Sequence, residues 1–385
     1  MDGGAGVNAL AFAHHLLPEM WLGEGALFTC LIVLALVLGS RVYAGAWHPR
    51  GFPERLLIVG TSPLTRRVVE EIARHPHRYR LVGMVEDGVD LDRLIAARRP
   101  HRIVVGFTDR RGRVPVSGLV ESRARGIRVE DVVETYAELT GKLALELMPP
   151  SGIIFSHEFA ASRVQPLFAR ALSLLVAVAG LIVLAPAMAV IALAIKLDSR
   201  GPVFFVQQRA GRYRIPFDLI KFRTMHPVEG RRSEWERDNS DRITRCGRWL
   251  RRFRLDELPQ LINMLRGDMN LVGPRPHPMT NLELLVLTTR NLSEVSGDAI
   301  SYYSLRCSVR PGITGWAQVR YRYANSLEQE VEKIRYDVYY LKHLSVWLDI
   351  RILFETVRII VSGHREIPAE VEEPEEAVEA HRERA

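Results

Sequence analysis

Cysteine is nearly absent: the 385 residues hold only Cys30, Cys246 and Cys307. So few, so scattered, they exclude a disulfide framework and a cysteine-built zinc site. The first 24 residues hold no lysine or arginine, but they do hold Asp2, Glu19 and Glu24. A secretory leader begins with positive charge, so this absence argues against a cleaved signal, despite the small-x-small look of Ala44-Gly45-Ala46. Negative charge is outnumbered by positive over the chain as a whole, but not at its end. From Glu366 onward the chain carries −6, which leaves +13 for the rest behind a formal net charge of +7. A basic body points to phosphate-bearing partners: nucleic acid, nucleotides or an anionic membrane surface. Finger, basic-zipper and RNP-type patterns are missing, so no nucleic-acid partner is expected. With 47% hydrophobic and 25% charged residues, wholesale disorder is excluded, and the length allows two or three domains.

Two uncharged apolar runs suggest a membrane. Gly25 to Ser40 is flanked by Trp21 and Tyr43 as interfacial anchors, and Arg41, Arg50 and Arg55 come after it. A transmembrane helix over about 25–44 is expected there, inside an N-terminal segment 1–50. The cations beyond it place the rest of the chain in the cytoplasm. The second run, Ala171 to Ile195, has 25 residues without a charge. Arg163 and Arg170 precede it, Lys196 and Arg200 come after it, and Pro186 lies inside. Cations at both ends leave no clear inside end, and proline removes a ladder N–H. A bent helix over 169–200, entering and leaving on the cytoplasmic face, satisfies both flanks. The alternative is a buried core helix.

Residues 51–150 read as α/β. Leu56-Leu57-Ile58-Val59, Leu81 to Val85 and Ile103-Val104-Val105 are strand runs; Val68, Val69, Ile72 and Ala73 mark one face of a helix between the first two. This alternation predicts a parallel, Rossmann-like sheet. After Gly60 come Thr61, Ser62 and Pro63 rather than G-x-G-x-x-G. The unit is therefore either a nucleotide binder or a structural or regulatory module. Residues 151–168 read as a linker.

Residues 201–363 are dense in arginine. A hairpin is expected from Val203-Phe204-Phe205-Val206, a turn at Gly211, and Phe217 to Thr224, with Lys221 and Arg223 on one face. Thr244 to Phe253 predicts an amphipathic helix with Trp249, Leu250 and Phe253 on one side and Arg248, Arg251 and Arg252 on another, suited to a membrane interface. Then come Asp256 and Glu257. Nearby cations keep such carboxylates ionised, and an ionised carboxylate binds a hard cation such as Mg²⁺ or attacks phosphorus. Pro274 and Pro276 flank Arg275 and present its guanidinium rigidly for phosphate; Arg310-Pro311-Gly312 repeats the device. Tyr336 to Ile360 reads as one long helix whose Trp347, Ile350 and Phe354 lie on the bilayer or in the core.

The stretches SRGPVFFVQQRAGR, KFRTM, LDELPQLINMLRGDMNLVGPRP, RPGITGWAQV and YDVYYLKHLSVWLD resemble the bacterial polyprenyl-phosphate sugar-phosphate transferases, the initiating enzymes of exopolysaccharide synthesis. DRRGRVPV, RGIRVED and LTGK look like the large members, which carry a Rossmann-like domain before the catalytic one. The resemblance implies an α/β Rossmann-like cytoplasmic domain and then a membrane-associated α+β catalytic domain with a re-entrant helix broken at Pro186. It implies transfer of a sugar-1-phosphate from a nucleotide sugar, usually a UDP-sugar, to polyprenyl phosphate, with release of the nucleoside monophosphate. Asp256 matches the family's nucleophile and Mg²⁺ ligand, and Glu257 its dyad partner. Lys221, Arg251 and Arg275 match its basic positions, with Arg223 and Arg310 added as phosphate binders on the reading above. Ala185 stands where the family usually has serine, and Arg254 where it has a small polar residue. The expected setting is the bacterial inner membrane, with the bilayer, other polysaccharide assembly proteins and a second copy of the chain as further partners. The alternative is a catalytically silent scaffold of such an assembly. The tail 364–385 is expected to be disordered.

Overall fold

The computed structural model describes residues 53–86, 91–107, 114–148, 153, 164–227, 241–290, 302–321 and 327–362. The expected transmembrane helix at 25–44, most of the linker 151–168 and the tail 364–385 lie outside the described residues.

The N-terminal unit is β1 (Glu54–Val59), α1 (Pro63–Arg74), β2 (Tyr79–Val85), α2 (Leu91–Arg98), β3 (Arg102–Val105), α3 (Val116–Ala124), β4 (Arg128–Asp131) and α4 (Val132–Thr140). Its strands pair in parallel in the order β2-β1-β3-β4. Alternate residues of β1 feed opposite cores. Leu56 and Ile58 pack with Leu64, Val68 and Ile72 of α1, whereas Leu57 and Val59 pack with Leu91 and Ile95 of α2. Coverage on both faces explains the unbroken apolar run, as parallel sheets require. Arg102 is fully buried and bridges Glu54, Glu130 and Glu138 at 2.7–3.1 Å.

This unit is fused to the C-terminal half. The Leu56 core continues into Tyr302, Tyr303, Ile334 and Val338. Tyr302 Oη donates to the Leu145 carbonyl at 2.6 Å, Trp316 Nε1 to the Gly141 carbonyl at 2.7 Å, and Lys142 pairs with Glu332 at 2.7 Å.

The long helix α5 runs from Val164 to Asp198, 35 residues with Pro186 inside and no break in the helical assignment. At 1.5 Å per residue it measures roughly 52 Å. It is apolar enough to cross a membrane. Its narrow inner face rests on the domain along its length. Gln165 bonds Asp349 near the start, Ala177 packs with Leu219 and Leu261 in the middle, and Ile195 packs with Phe222 and Leu250 near the end. Leu175, Ile182, Val183, Val190 and Leu193 stay exposed on the outer face.

The expected hairpin is present: β5 (Phe204–Ala210) pairs antiparallel with β6 (Pro216–Phe222). Helix α6 (Arg245–Arg252) is capped by Thr244, whose side chain accepts from the Gly247 N–H. Only Leu250 of its expected apolar face turns inward. Trp249 and Phe253 remain exposed and contact each other, ring centroids 4.8 Å apart. Helix α7 (Gln260–Arg266) ends at Gly267, whose φ of +92° supplies the left-handed cap. The short β7 (Asn270–Val272) pairs in parallel with β8 (Gly312–Thr314). Helices α8 (Leu282–Arg290), α9 (Tyr302–Arg306) and α10 (Trp316–Arg320) complete this region. The single helix expected over Tyr336 to Ile360 is two: α11 (Leu327–Lys342) and α12 (Val346–Ser362). Ser345 separates them because its hydroxyl accepts from the Leu348 N–H and so caps α12.

Asp349, on α12, is 1% exposed and accepts from Gln165 Nε2 (2.9 Å) and Tyr340 Oη (2.7 Å). Burial pushes its carboxyl up to about 6 from the usual 3.8, against those two bonds. The folded chain thus holds this proton more tightly than the unfolded chain does. Stability from this group is full below pH 3.8 and falls as pH rises to about 6, by about 3 kcal/mol. Asp349→Asn removes the buried charge, and a turned Gln165 amide keeps both contacts. Thermal melts of purified protein in detergent should show the variant gaining on the parent chain between pH 4 and pH 7. A constant difference across that range contradicts this account of Asp349.

Candidate active site

Asp256 and Glu257 lie on a single 3₁₀ turn, Leu255–Glu257, between α6 and α7. The turn is entered through Arg254 at φ +52°, a left-handed conformation uncommon for a residue with a Cβ. Leu255 and Leu258 bracket the carboxylates and pack against the cluster of Ile195, Phe222 and Leu250, beside Met188, Ile191 and Ala192 of the long helix. The L-D-E-L pattern therefore fixes two carboxylates to the apolar helix by the leucines on either side.

The two carboxylates differ. Glu257 is committed to cations: Arg275 Nη2 donates to Oε1 at 2.9 Å, Lys221 Nζ lies 3.3 Å from the same oxygen, and Arg254 is 3.9 Å from Oε2. Burial pushes its carboxyl up, but Arg275, Lys221 and Arg254 outweigh that and hold it at about 2. Asp256 has no hydrogen bond or ion pair within 4 Å among the described residues. Burial and the charge of Glu257 push its carboxyl above the usual range, further than Lys221, Arg251 and Arg275 pull it back. Burial likewise lowers Lys221, more than Glu257 restores it. One carboxylate serves as counter-ion and the other is left basic and free.

Of the predicted phosphate binders, Lys221, Arg251 and Arg275 surround the dyad. Arg251 is steered by its Nε bond to Thr224 Oγ1, 3.0 Å. Arg223 does not join them. Strand β6 ends at Phe222, and Arg223 turns back to donate to the Ser199 and Arg200 carbonyls at 2.9 and 2.8 Å, closing the end of the long helix. Arg310 is also elsewhere, its Nε donating to the Gly267 carbonyl at 3.0 Å. In their place the pocket beside Lys221 and Arg275 contains Arg209 and Gln260. Arg209 was missed by sequence reasoning, although its place two residues after Gln207 in strand β5 put it on the same side of the hairpin. Its Nη1 donates to the Pro276 carbonyl at 3.2 Å, so it also braces the segment carrying Arg275. Behind that segment, buried Arg306 pairs with Asp337 at 2.6 Å and donates to the Arg275 carbonyl. Arg275 is thus held rigid by more than its flanking prolines.

Among the described residues no three His, Cys, Asp or Glu side chains cluster to form a metal cage. Mg²⁺ needs no such cage, because it commonly takes one or two carboxylates and completes its shell with water and substrate phosphates. The free Asp256 fits that mode; Glu257, already shared by three cations, fits it less well.

In the N-terminal unit, Phe107 packs over the turn that comes after β1. A Cβ on Gly60 would lie 2.7 Å from the Phe107 ring, and Ser62 and Thr65 cap α1 reciprocally with each other's side chains. This favours the structural or regulatory module.

Residues 164–363 match the family described as bacterial sugar transferase. The chain is 33% identical over 386 residues to the undecaprenyl-phosphate glucose phosphotransferase of Komagataeibacter xylinus, covering 89% of this chain and 70% of that one. It is 31% identical to the UDP-glucose:undecaprenyl-phosphate glucose-1-phosphate transferase of Escherichia coli K12, covering 88% and 74%. Over the C-terminal half it is 39% identical to the UDP-N-acetylgalactosamine-undecaprenyl-phosphate N-acetylgalactosaminephosphotransferase of Aeromonas hydrophila, covering 52% of this chain and 45% of that one.

Glu257→Gln leaves half-buried Lys221 without its counter-ion and should destabilise the protein by about 2 kcal/mol, the range for hydrogen bonds to charged groups. Lys221→Met added to it removes the stranded charge and should recover part of the loss. A double-mutant cycle by denaturant unfolding measures this coupling; purely additive effects contradict the pairing.

Proposed function

This chain belongs to the bacterial sugar transferase family, and from that premise we propose that it transfers a sugar-1-phosphate from a UDP-sugar to undecaprenyl phosphate, releasing UMP, as the first membrane step of exopolysaccharide synthesis. The single observation that carries the reading is the inequality of the dyad: a basic, unpaired Asp256 beside a Glu257 locked to Arg275 and Lys221.

In the proposed sequence an Asp256 oxygen attacks the phosphorus that bears the sugar. The bond from that phosphorus to the bridging oxygen breaks, and UMP leaves with the electron pair. The lipid phosphate then attacks the same phosphorus and Asp256 departs, leaving a polyprenyl diphosphate sugar and a free carboxylate. Lys221, Arg251, Arg275 and Arg209 hold the diphosphate and the departing monophosphate, because phosphoryl transfer is governed by positioning and charge neutralisation. Mg²⁺, when bound by Asp256 and the diphosphate, supplies further neutralisation of the substrate's charge.

The same reading makes the apolar helix Val164–Asp198 re-entrant. Its start, middle and end all contact one domain, so crossing the bilayer would tear one end away. Exposed Trp249 and Phe253 beside Arg248 and Arg252 supply an interfacial surface. The dyad then sits at headgroup depth, on the cytoplasmic side, where the lipid phosphate is. The N-terminal α/β unit is Rossmann-like in strand order but acts as a brace for the catalytic half rather than as a nucleotide site.

Membranes containing Asp256→Asn should lose UMP release from a panel of UDP-sugars with undecaprenyl phosphate by at least a thousandfold, while the protein accumulates normally. Undiminished release overturns the assignment. Reporter fusions after Ala46 and after Gly201 should both read cytoplasmic; opposite sides mean that the long helix spans.

A further inference from the structure

A second cavity, of about 230 Å³, opens beside the first turns of the long helix. It shares no wall residue with the pocket around Lys221 and Arg275. Two guanidinium groups line it, Arg212 from the turn after β5 and Arg310 from the segment before β8. Each donates through Nε, Arg212 to the Ser308 carbonyl at 2.9 Å and Arg310 to the Gly267 carbonyl at 3.0 Å, and the Arg212 guanidinium also lies over the Tyr213 ring, 4.6 Å from its centroid. Among the described residues their terminal nitrogens have no acceptor, and no carboxylate pairs with either. A guanidinium anchored at Nε keeps its outer fork for a phosphate.

Gln165, 6% exposed, completes the wall, and its amide is oriented by the bond to Asp349. Asp349 lies behind this wall, its two oxygens accepting from Gln165 and Tyr340, so it makes no direct pair with either guanidinium. Beside Arg310, Arg170 is lowered from its ordinary range, by burial first and by the charge of Arg310 second; Asp268 opposes this only in part. Arg212, Arg310 and Arg170 thus concentrate positive charge here, and among the described residues neither Asp268 nor Asp349 forms an ion pair with any of the three. Apolar groups share the lining, among them Pro166, Leu305, Leu344 and the exposed ring of Tyr213, and Leu167 and Phe168, next in sequence to Pro166, are exposed.

We propose that this cavity is a second phosphate site, separate from the reaction site, taking a phosphate ester the size of a lipid headgroup on Arg212 and Arg310. Gln165 receives the ester's hydroxyl groups. The phosphate enters either on a neighbouring phospholipid, whose chains lie along the exposed face of the long helix, or as a free ester from the cytoplasm. Glycerol phosphate is the chemistry common to both sources.

The full chain in detergent is titrated calorimetrically with glycerol 3-phosphate. In parallel, nanodiscs of phosphatidylglycerol or phosphatidylcholine are used, and native mass spectrometry counts the lipids retained. Binding of glycerol 3-phosphate, or selective retention of phosphatidylglycerol, is expected. The first identifies a free ester, the second a headgroup. Arg212→Gln, a change at an exposed residue, should weaken whichever is bound at least fivefold, and Arg212→Gln with Arg310→Gln should abolish it. Absence of both signals overturns the proposal. So does binding that survives the double substitution, or binding that is lost in Arg275→Gln instead, which assigns the phosphate to the dyad.

Discussion

The Glu257 carboxylate, shared among Arg275, Lys221 and Arg254, is the interaction on which the site depends. Lys221, Arg251 and Arg275 all act on Asp256. Unopposed, they would bind its carboxylate directly and leave it a weak base. Glu257 instead absorbs the nearest positive charge and holds it close to the substrate's path. Its own negative charge, with burial, raises the basicity of Asp256. Adjacent carboxylates in one turn thereby acquire opposite tasks, a separation that two equivalent aspartates in water would not show.

That turn is positioned by hydrophobic packing rather than by polar contacts. Leu255 and Leu258 are held by Ile195 and its neighbours on the long helix, so the position of the helix fixes the position of the dyad. Arg223 closes the far end of the helix through the Ser199 and Arg200 carbonyls, and Gln165 ties the near end to Asp349. A helix with carbonyls satisfied at one end and an amide bonded at the other is restrained in both translation and rotation. Pro186, read from sequence as the point of a bend, lies inside an unbroken helical assignment. The restraint comes from the contacts along the helix, whatever the proline does to its curvature.

Much of this was legible in the sequence, for a physical reason. Period-two and uninterrupted apolar runs located β1, β2, β3 and the hairpin, because burial on a sheet face is recorded residue by residue. The dyad, Lys221, Arg251 and Arg275 were legible through the resemblance of their motifs. Failures came where a side chain's direction depends on where its element stops. Arg223 alternates with Lys221 on paper, but the strand ends one residue earlier and frees it to turn toward the helix end. Arg310 sits in a rigid turn packed against that of Arg275, the Gly312 N–H donating to the Pro274 carbonyl at 3.0 Å, yet its side chain turns to the Gly267 carbonyl instead of the dyad. Trp249 and Phe253 keep to the apolar period of their helix but stay outside, because hydropathy does not distinguish a protein core from a membrane interface.

The N-terminal unit raises a different question: why a catalytic domain should share a hydrophobic core with a parallel sheet whose first turn holds no open phosphate cradle. Tyr302, Tyr303 and Ile334 belong to that core, and Arg306, one helical turn after Tyr302, is the residue that holds the Arg275 carbonyl and pairs with Asp337. Packing against the sheet therefore fixes α9, which fixes Arg306, which fixes the backbone presenting Arg275 to Glu257. Lys142 and Glu332, with Trp316 on the Gly141 carbonyl, reinforce the same join from its other side. Phe107 over Gly60 adds apolar burial to the turn after β1, at the end of the strand whose Leu56 and Ile58 enter that shared core.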